Sequence, residues 1–86
     1  MRVRDVESTP NPHAIKLVLR EPHTTGIRSY HGSNTPSDDA LGEQLLAIEG
    51  VVGVLIHESF ITLSRAPSAK WGPIQTAAEA VLAQHA

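Results

Sequence analysis

Hydrophobic and polar residues alternate most clearly over residues 14–20, where aliphatic side chains recur at every second position. A repeat of two is typical of a strand that buries one face. A weaker, highly charged strand is predicted over residues 2–8, and a possible short strand over residues 27–30. The inward side chains of the alternating strand are expected to be Ile15, Leu17 and Leu19.

A second pair of strands is predicted in the middle of the chain. Residues 51–56 are apolar on both faces, which favours a central strand. Residues 60–65 return after a short turn, with Ile61 and Leu63 on one face, so the two strands are predicted to form a hairpin. Phe60 and the aliphatic residues of the first of these strands are assigned to the core.

The first helix is predicted between the strand at 27–30 and this hairpin. Asp38 or Asp39 suits its N-cap, and the helix should run to about Ile48. Gly50 is a natural residue for the chain to leave the helix, whereas Gly42 weakens it. Its apolar face consists of Leu41, Leu45 and Ile48.

The second helix is predicted over residues 73–84. Gly72 and Pro73 suit an N-cap and a first helical position. Its apolar face, with Trp71 just ahead of it, consists of Ile74, Ala78, Val81 and Leu82.

The element order ββ(β)αββα predicts a single α+β domain over residues 1–86. We expect two layers, with both helices on one face of a mostly antiparallel or mixed sheet. One parallel or mixed contact is expected across the first helix.

Composition narrows the range of partners. The net charge is −2 and the basic residues are scattered, so we expect no nucleic acid and no membrane as a partner. No stretch is long and apolar enough to predict a membrane span. The first residues lack an apolar signal core, so a cytoplasmic location is expected. The domain is also expected to be a monomer.

The residue types that carry chemistry are sparse. The sequence contains no cysteine, which excludes thiolate-ligated metal sites and thiol nucleophiles. No nucleophile or phosphate-binding motif is present, so no catalytic residue is assigned and an enzyme is not expected. The histidines lack metal-ligand spacing, so solvated loop residues are expected rather than a metal site: His13, His23, His31, His57 and His85.

Residues 7–16 read Glu-Ser-Thr-Pro-Asn-Pro-His-Ala-Ile-Lys. Two prolines one residue apart fix two φ angles and remove two backbone donors, which predicts a rigid bend between the first two strands. Such a bend is either a stiff connector or an exposed recognition element, because rigid exposed loops often carry function.

Three stretches of the sequence form a recognisable pattern when taken together. The first is Thr-Pro-Asn-Pro followed by Ile and Lys, within residues 9–16. The second combines Ala-Ile-Glu-Gly-Val-Val-Gly-Val at 47–54 with Ser-Phe-Ile-Thr-Leu-Ser-Arg at 59–65, and the third is Trp71 at the opening of the last helix. Their order and content resemble the N-terminal domain of the Nfu/NifU-type iron–sulfur scaffold proteins.

This resemblance implies a part in iron–sulfur cluster assembly or delivery. In that family a second domain with a Cys-x-x-Cys motif holds the cluster, and since this chain has no cysteine we expect a stand-alone domain that lacks it. No cofactor is expected in the chain itself, and iron or a cluster would reach it only through a partner domain.

The resulting hypothesis is a non-enzymatic adaptor that recognises an iron–sulfur scaffold or a recipient apo-protein. Two alternatives stay open: weak direct binding of iron by histidine and carboxylate groups, and a structural module of unrelated function. Trp71 is either a core anchor or an interface residue. The partner-binding residues that the family motif suggests are Thr9, Pro10, Asn11, Pro12, Lys16 and Trp71.

Overall fold

The computed structural model describes residues 2–21, 27–32 and 39–85. Within these ranges the chain forms five strands and two helices in the predicted order ββ(β)αββα, and the α+β class is confirmed. The elements are β1 (Val3–Ser8), β2 (Ala14–Leu19), β3 (Arg28–His31), α1 (Ala40–Leu46), β4 (Val51–Ile56), β5 (Phe60–Arg65) and α2 (Trp71–Ala83).

The strands form one sheet in the order β1-β2-β5-β4-β3, and all four pairings between described strands are antiparallel. The expected parallel contact across α1 is therefore wrong. The N–H of Gly32, just after β3, donates to the carbonyl of Val52 at the start of β4 at 2.9 Å. The connection through α1 therefore leaves β3 and enters β4 at the same end of the sheet. A parallel crossover would instead have to return to the opposite end of the sheet before β4 begins.

The core lies between the sheet and the two helices, which cover the same face. Alternate residues of β2 and β5 point into it, as the period-two pattern predicted, and α2 contributes the predicted apolar face. The side chains that are almost completely buried are Leu17, Leu45, Val54, Ile56, Ile61, Leu63, Ile74 and Leu82.

The opposite face of the sheet, which no described helix covers, carries hydrophobic residues that the sequence analysis placed in the core. Phe60 is half-buried and points away from Ile61 and Leu63. Leu55 is half-buried, and Val52 is 43% exposed. The core assignment was wrong for Phe60 and Leu55 because their side chains point to the face of the sheet that no described second layer covers. It was wrong for Val52 because the pairing of β4 with β5 shifts between Val51 and Gly53, which leaves Val52 without a partner in the register.

Asp39 is the N-cap of α1, as predicted, and its carboxylate accepts the N–H of Gly42 at 3.1 Å. Asp38, the other candidate, lies outside the described residues. The helix ends at Leu46 with Ala47 as its C-cap, so the prediction that it runs to about Ile48 and stops at Gly50 was wrong. Gly50 lies in the turn before β4, where its φ of 94° favours glycine.

The Asp39 carboxylate also joins α1 to the edge strand β3. The hydroxyl of Tyr30 donates to its Oδ2 at 2.7 Å, and the guanidinium of Arg28 forms an ion pair with the same oxygen. Burial alone would raise the pKa of Asp39, but the hydrogen bonds from Tyr30 and Gly42 and the charge of Arg28 outweigh it. The pKa of Asp39 is therefore lowered.

The second helix begins at Trp71 with Lys70 as its N-cap, so the predicted start at Gly72 and Pro73 was wrong. Pro73 is the third helical residue, still in the first turn, where a backbone N–H has no helical partner to lose. At 13 residues α2 is the longer of the two described helices, and neither is long and apolar enough to cross a membrane.

Candidate functional site

The bend between β1 and β2 is held by hydrogen bonds of its own residues. The hydroxyl of Thr9 lies 2.8 Å from the carbonyl oxygen of Asn11 and 3.1 Å from that of Ala14, and it accepts the N–H of Asn11 at 3.1 Å. The side-chain oxygen of Asn11 accepts the N–H of His13 at 2.9 Å. This is the local pattern by which asparagine mimics a backbone turn.

The tip of this bend faces solvent. Pro10, Asn11 and Pro12 are exposed, whereas Thr9 and His13 on either side are half-buried. The hydroxyl of Thr9 and the side-chain oxygen of Asn11 fix the shape of the bend, and the exposed side chains at its tip remain accessible to another molecule. The arrangement combines a preset backbone with an accessible surface, which reduces the ordering cost of binding.

Arg65, at the end of β5, ties the bend to the rest of the domain. Its backbone N–H donates to the carbonyl of His13 at 2.8 Å. One arm of its guanidinium lies 3.4 Å from the carbonyl oxygen of Pro12, and the other donates to the carbonyl of Ala69, just before α2. One side chain thus links two loops that are far apart in the sequence.

The same guanidinium lies beside Trp71, the first residue of α2, with its central carbon 5.3 Å from the ring centroid. Trp71 is half-buried and packs against the edge of the core. Trp71 therefore packs against the core and is also partly accessible to solvent. We call Thr9–His13, Arg65 and Trp71 together the bend site.

Lys16, the remaining residue of the family motif, lies on the uncovered face of the sheet. Its ammonium is 4.4 Å from the centre of the Phe60 ring and 3.9 Å from a carboxylate oxygen of Glu7. The ring of His57 stacks on Phe60, with centroids 4.4 Å apart. The structure thus connects the bend to Trp71 through Arg65 and places Lys16 in a separate group.

The sequence analysis gave Arg65 no part in the bend. The signal that would have found it is the pairing of β2 with β5, in which Ala14 lies opposite Ser64 and brings Arg65 to the end of the bend. A local pattern predicts that two strands exist but does not say which strands are neighbours.

The donor atoms of the described residues do not form a ligand set for iron or a cluster. The chain has no cysteine, and within the described residues no group of three or more histidine, aspartate or glutamate side chains is placed to hold a metal ion. His23 lies outside the described residues.

A family model described as scaffold protein Nfu/NifU N terminal matches residues 3–86. The chain belongs to this Nfu N-terminal family. The match covers every described strand and helix, so it extends over the bend site as well as the core. Membership of this scaffold family supports a role related to iron–sulfur clusters.

Relatives of this Nfu N-terminal domain include much longer proteins. Conserved virulence factor C of Staphylococcus aureus strain MRSA252 is 26% identical over 74 residues, which cover 86% of this chain and 20% of that protein. The protein of the same name from strain USA300 is 25% identical over 71 residues, covering 83% and 19%. The chain thus spans about a fifth of the length of these relatives.

Solved structures share the fold. The crystal structure of protein SAV1430 from Staphylococcus aureus has a TM-score of 0.79 and 25% identity, covering 95% of this chain and 99% of that one. A NifU-like protein from Saccharomyces cerevisiae has a TM-score of 0.77 at 17% identity, covering 96% of this chain and 77% of that one. The second likeness, at this identity, concerns the fold alone.

Proposed function

We propose that this domain is a non-catalytic adaptor in iron–sulfur cluster assembly or delivery. It recognises a partner protein, either a cluster-bearing scaffold domain or a recipient apo-protein, and contributes no ligand to the cluster. Membership of the Nfu N-terminal family supports the iron–sulfur context. The absence of cysteine supports recognition rather than cluster binding as the part played by this chain.

The observation that carries the proposal is the construction of the bend site. The exposed tip at Pro10, Asn11 and Pro12 is presented on a backbone that Thr9 and Arg65 hold in place. A surface that is ordered before binding loses little conformational freedom when a partner arrives. The half-buried ring of Trp71 extends this surface with the residue type most enriched at energetically important contacts.

The test is capture of partners from a lysate of the source cells under anaerobic conditions, with the bound proteins identified by mass spectrometry. The native domain is expected to enrich a Cys-x-x-Cys scaffold protein or iron–sulfur apo-proteins. The enrichment should fall with Asn11→Ala, which removes both the exposed amide and the acceptor for the N–H of His13.

Two further variants distinguish a direct contact between the Asn11 amide and the partner from an effect of Asn11 on the shape of the bend. Asn11→Asp keeps the acceptor for His13 but loses the amide donor, so its behaviour shows whether the bend geometry or the amide itself matters. Gln84→Ala removes an exposed amide at the opposite end of α2 and should leave capture unchanged. Equal capture by native and Asn11→Ala domains, with both folded by their amide spectra, would contradict recognition through the bend site.

A further inference from the structure

A cleft of about 370 Å³ opens on the uncovered face of the sheet, across β1, β2 and β5. Val18 and Phe60 form its apolar floor, and Arg4, Lys16 and Arg20 stand around it. None of its lining residues belongs to the bend site; Lys16 belongs to the family motif but lies in this cleft. The proposed adaptor function does not depend on this cleft.

The charged residues that line this cleft are three basic ones and one acidic one. Glu7 is the acidic residue in its described lining, and its carboxylate already lies 3.9 Å from the ammonium of Lys16. Arg4 and Arg20 are exposed and form no ion pair with any described residue. The cleft therefore presents two arginine side chains that are available to pair with carboxylates of another molecule.

The position of Arg4 follows from an irregularity in β1. The pairing with β2 shifts between Val3 and Asp5, so that Arg4 is the residue without a partner in the register. A bulge of this kind redirects a side chain that regular alternation would place elsewhere. The neighbouring carboxylate of Asp5 accepts the N–H of Val6 at 2.9 Å and lies outside the cleft lining.

The positive charge continues around the edge of the sheet. Arg4 and Arg20 also line a second cleft, of about 400 Å³, which they share with Arg2 and with Glu79 of α2. Three of the seven lysines and arginines of the chain thus converge at one corner of a domain whose net charge is −2. This concentration is a local feature and not a consequence of composition.

We propose that the Arg4–Arg20 cleft binds an acidic segment of a partner protein. Carboxylates of the segment pair with the guanidinium groups of Arg4 and Arg20, which offer two parallel donors to each carboxylate. An apolar side chain of the same segment rests on Val18 and Phe60. Arginines at the rim of an apolar floor match a peptide in which acidic and hydrophobic residues are mixed.

Other polyanions fit the cleft less well. Asp5 and Glu7 follow Arg4 along β1, so a closely spaced row of phosphates running beside this edge would meet two carboxylates as well as the arginines. A peptide can space its carboxylates to avoid them. The observations therefore favour protein over nucleic acid or a lipid surface as the occupant.

The probe is a short capped peptide in which glutamate and leucine alternate, titrated into the whole domain at low salt and followed by amide NMR. We expect shifts centred on Val18, Arg20 and Phe60, and weaker binding as salt is added, because the charged groups are exposed. A peptide with glutamine in place of every glutamate tests the carboxylates. Binding that is equally strong with the glutamine peptide, or that maps away from these residues, overturns the proposal.

Charge reversal tests the arginines. Arg20→Glu should weaken binding of the glutamate peptide about fivefold or more, as expected for an exposed charged contact that becomes repulsive. Lys70→Glu makes the same change of charge at a residue outside both clefts and should retain the native affinity. An equal loss of affinity in both variants would show that binding depends only on the net charge of the domain, and would refute the site. Should Arg20→Glu fail to fold, Arg4→Glu, at an exposed bulge, provides the same comparison.

Three further titrations, with inorganic phosphate, lipid vesicles and a single-stranded oligonucleotide, distinguish other sources of negative charge. Each is added to the native domain under the same conditions, and the vesicles consist of mixed phosphatidylserine and phosphatidylcholine. Weaker effects than those of the glutamate peptide support the proposal. Binding of vesicles, or of a single-stranded oligonucleotide, at these residues in preference to the peptide overturns it. The bend-site variant Asn11→Ala should bind the peptide normally, so the outcome is independent of the adaptor test.

Discussion

The ring of Tyr30 occupies the space that a side chain at Gly42 would need. A Cβ at position 42 would lie 2.5 Å from Cε2 of Tyr30, closer than real atoms approach. The ring cannot simply move aside, because its hydroxyl is bonded to the carboxylate of Asp39. The glycine that weakens α1 in isolation therefore lets the edge strand β3 pack against the helix.

Gly42→Ala is expected to destabilise the domain by about 1–3 kcal/mol, the usual cost of overpacking, although alanine is the better helix former. Gly72→Ala is the matched control, since no atom lies within 4 Å of a Cβ at that position and its φ is ordinary. Urea denaturation measures both free energies of unfolding. A gain in stability from Gly42→Ala would show that Tyr30 is not held in this position.

The lowered pKa of Asp39 predicts how stability depends on pH. Because the folded-state pKa lies below the unfolded one, Asp39 stabilises the fold fully above about pH 4, near the ordinary carboxyl value. This contribution is lost as the pH falls further, through the lower folded-state pKa. Asp39→Asn, which can still cap the helix, should cost about 1–2 kcal/mol at neutral pH.

The difference in unfolding free energy between native and Asp39→Asn domains should therefore shrink when urea titrations are repeated at decreasing acidic pH. Glu43→Gln, an exposed carboxylate on the same helix, is the comparison variant and should change little. A difference that is constant across the acidic range would rule out the charge of Asp39 as its cause.

Arg65 is expected to hold the bend and the start of α2 together. Arg65→Lys keeps the positive charge but cannot reach the carbonyls of both Pro12 and Ala69 with one planar group, so about 1 kcal/mol of stability should be lost. Amide shifts are expected to change at His13 and near Trp71 together. Changes confined to one of these two loops would contradict the bridging role.

The uncovered face of the sheet predicts unequal effects of two neighbouring hydrophobic residues. Leu63→Ala empties a fully buried site and should cost about 2–5 kcal/mol. Phe60→Ala removes a larger side chain but from a half-buried position, and should cost less. Unfolding by urea compares the two. A cost for Phe60→Ala equal to or above that of Leu63→Ala would indicate a second layer over this face.

The sequence predicted the elements that depend on local chemistry. Alternation identified β2, the aspartate at position 39 identified the start of α1, and the periodic apolar residues identified the inner face of α2. These signals are local because each concerns residues within a few positions of one another. The same signals placed Phe60 in the core, because hydrophobicity alone does not indicate which face of a sheet a second layer covers.

The site depends on contacts between distant parts of the chain, and these the sequence did not predict. Arg65 reaches Pro12 only because β5 lies between β2 and β4, an order that no local pattern contains. The Arg4–Arg20 cleft likewise depends on the shifted register of β1, which leaves Arg4 without a partner near Arg20. The motif Thr-Pro-Asn-Pro predicted an exposed bend, but the residues that contact this bend depend on the order of the strands in the sheet.

The cleft lined by Arg2 and Ala83 also has a consequence for how the domain can be joined to other chains. The first strand begins beside the place where the last helix ends, so the polypeptide enters and leaves the fold at almost the same place. A domain with neighbouring termini can be inserted into a surface loop of a host protein, or permuted by joining its ends, without separating the strands of its sheet.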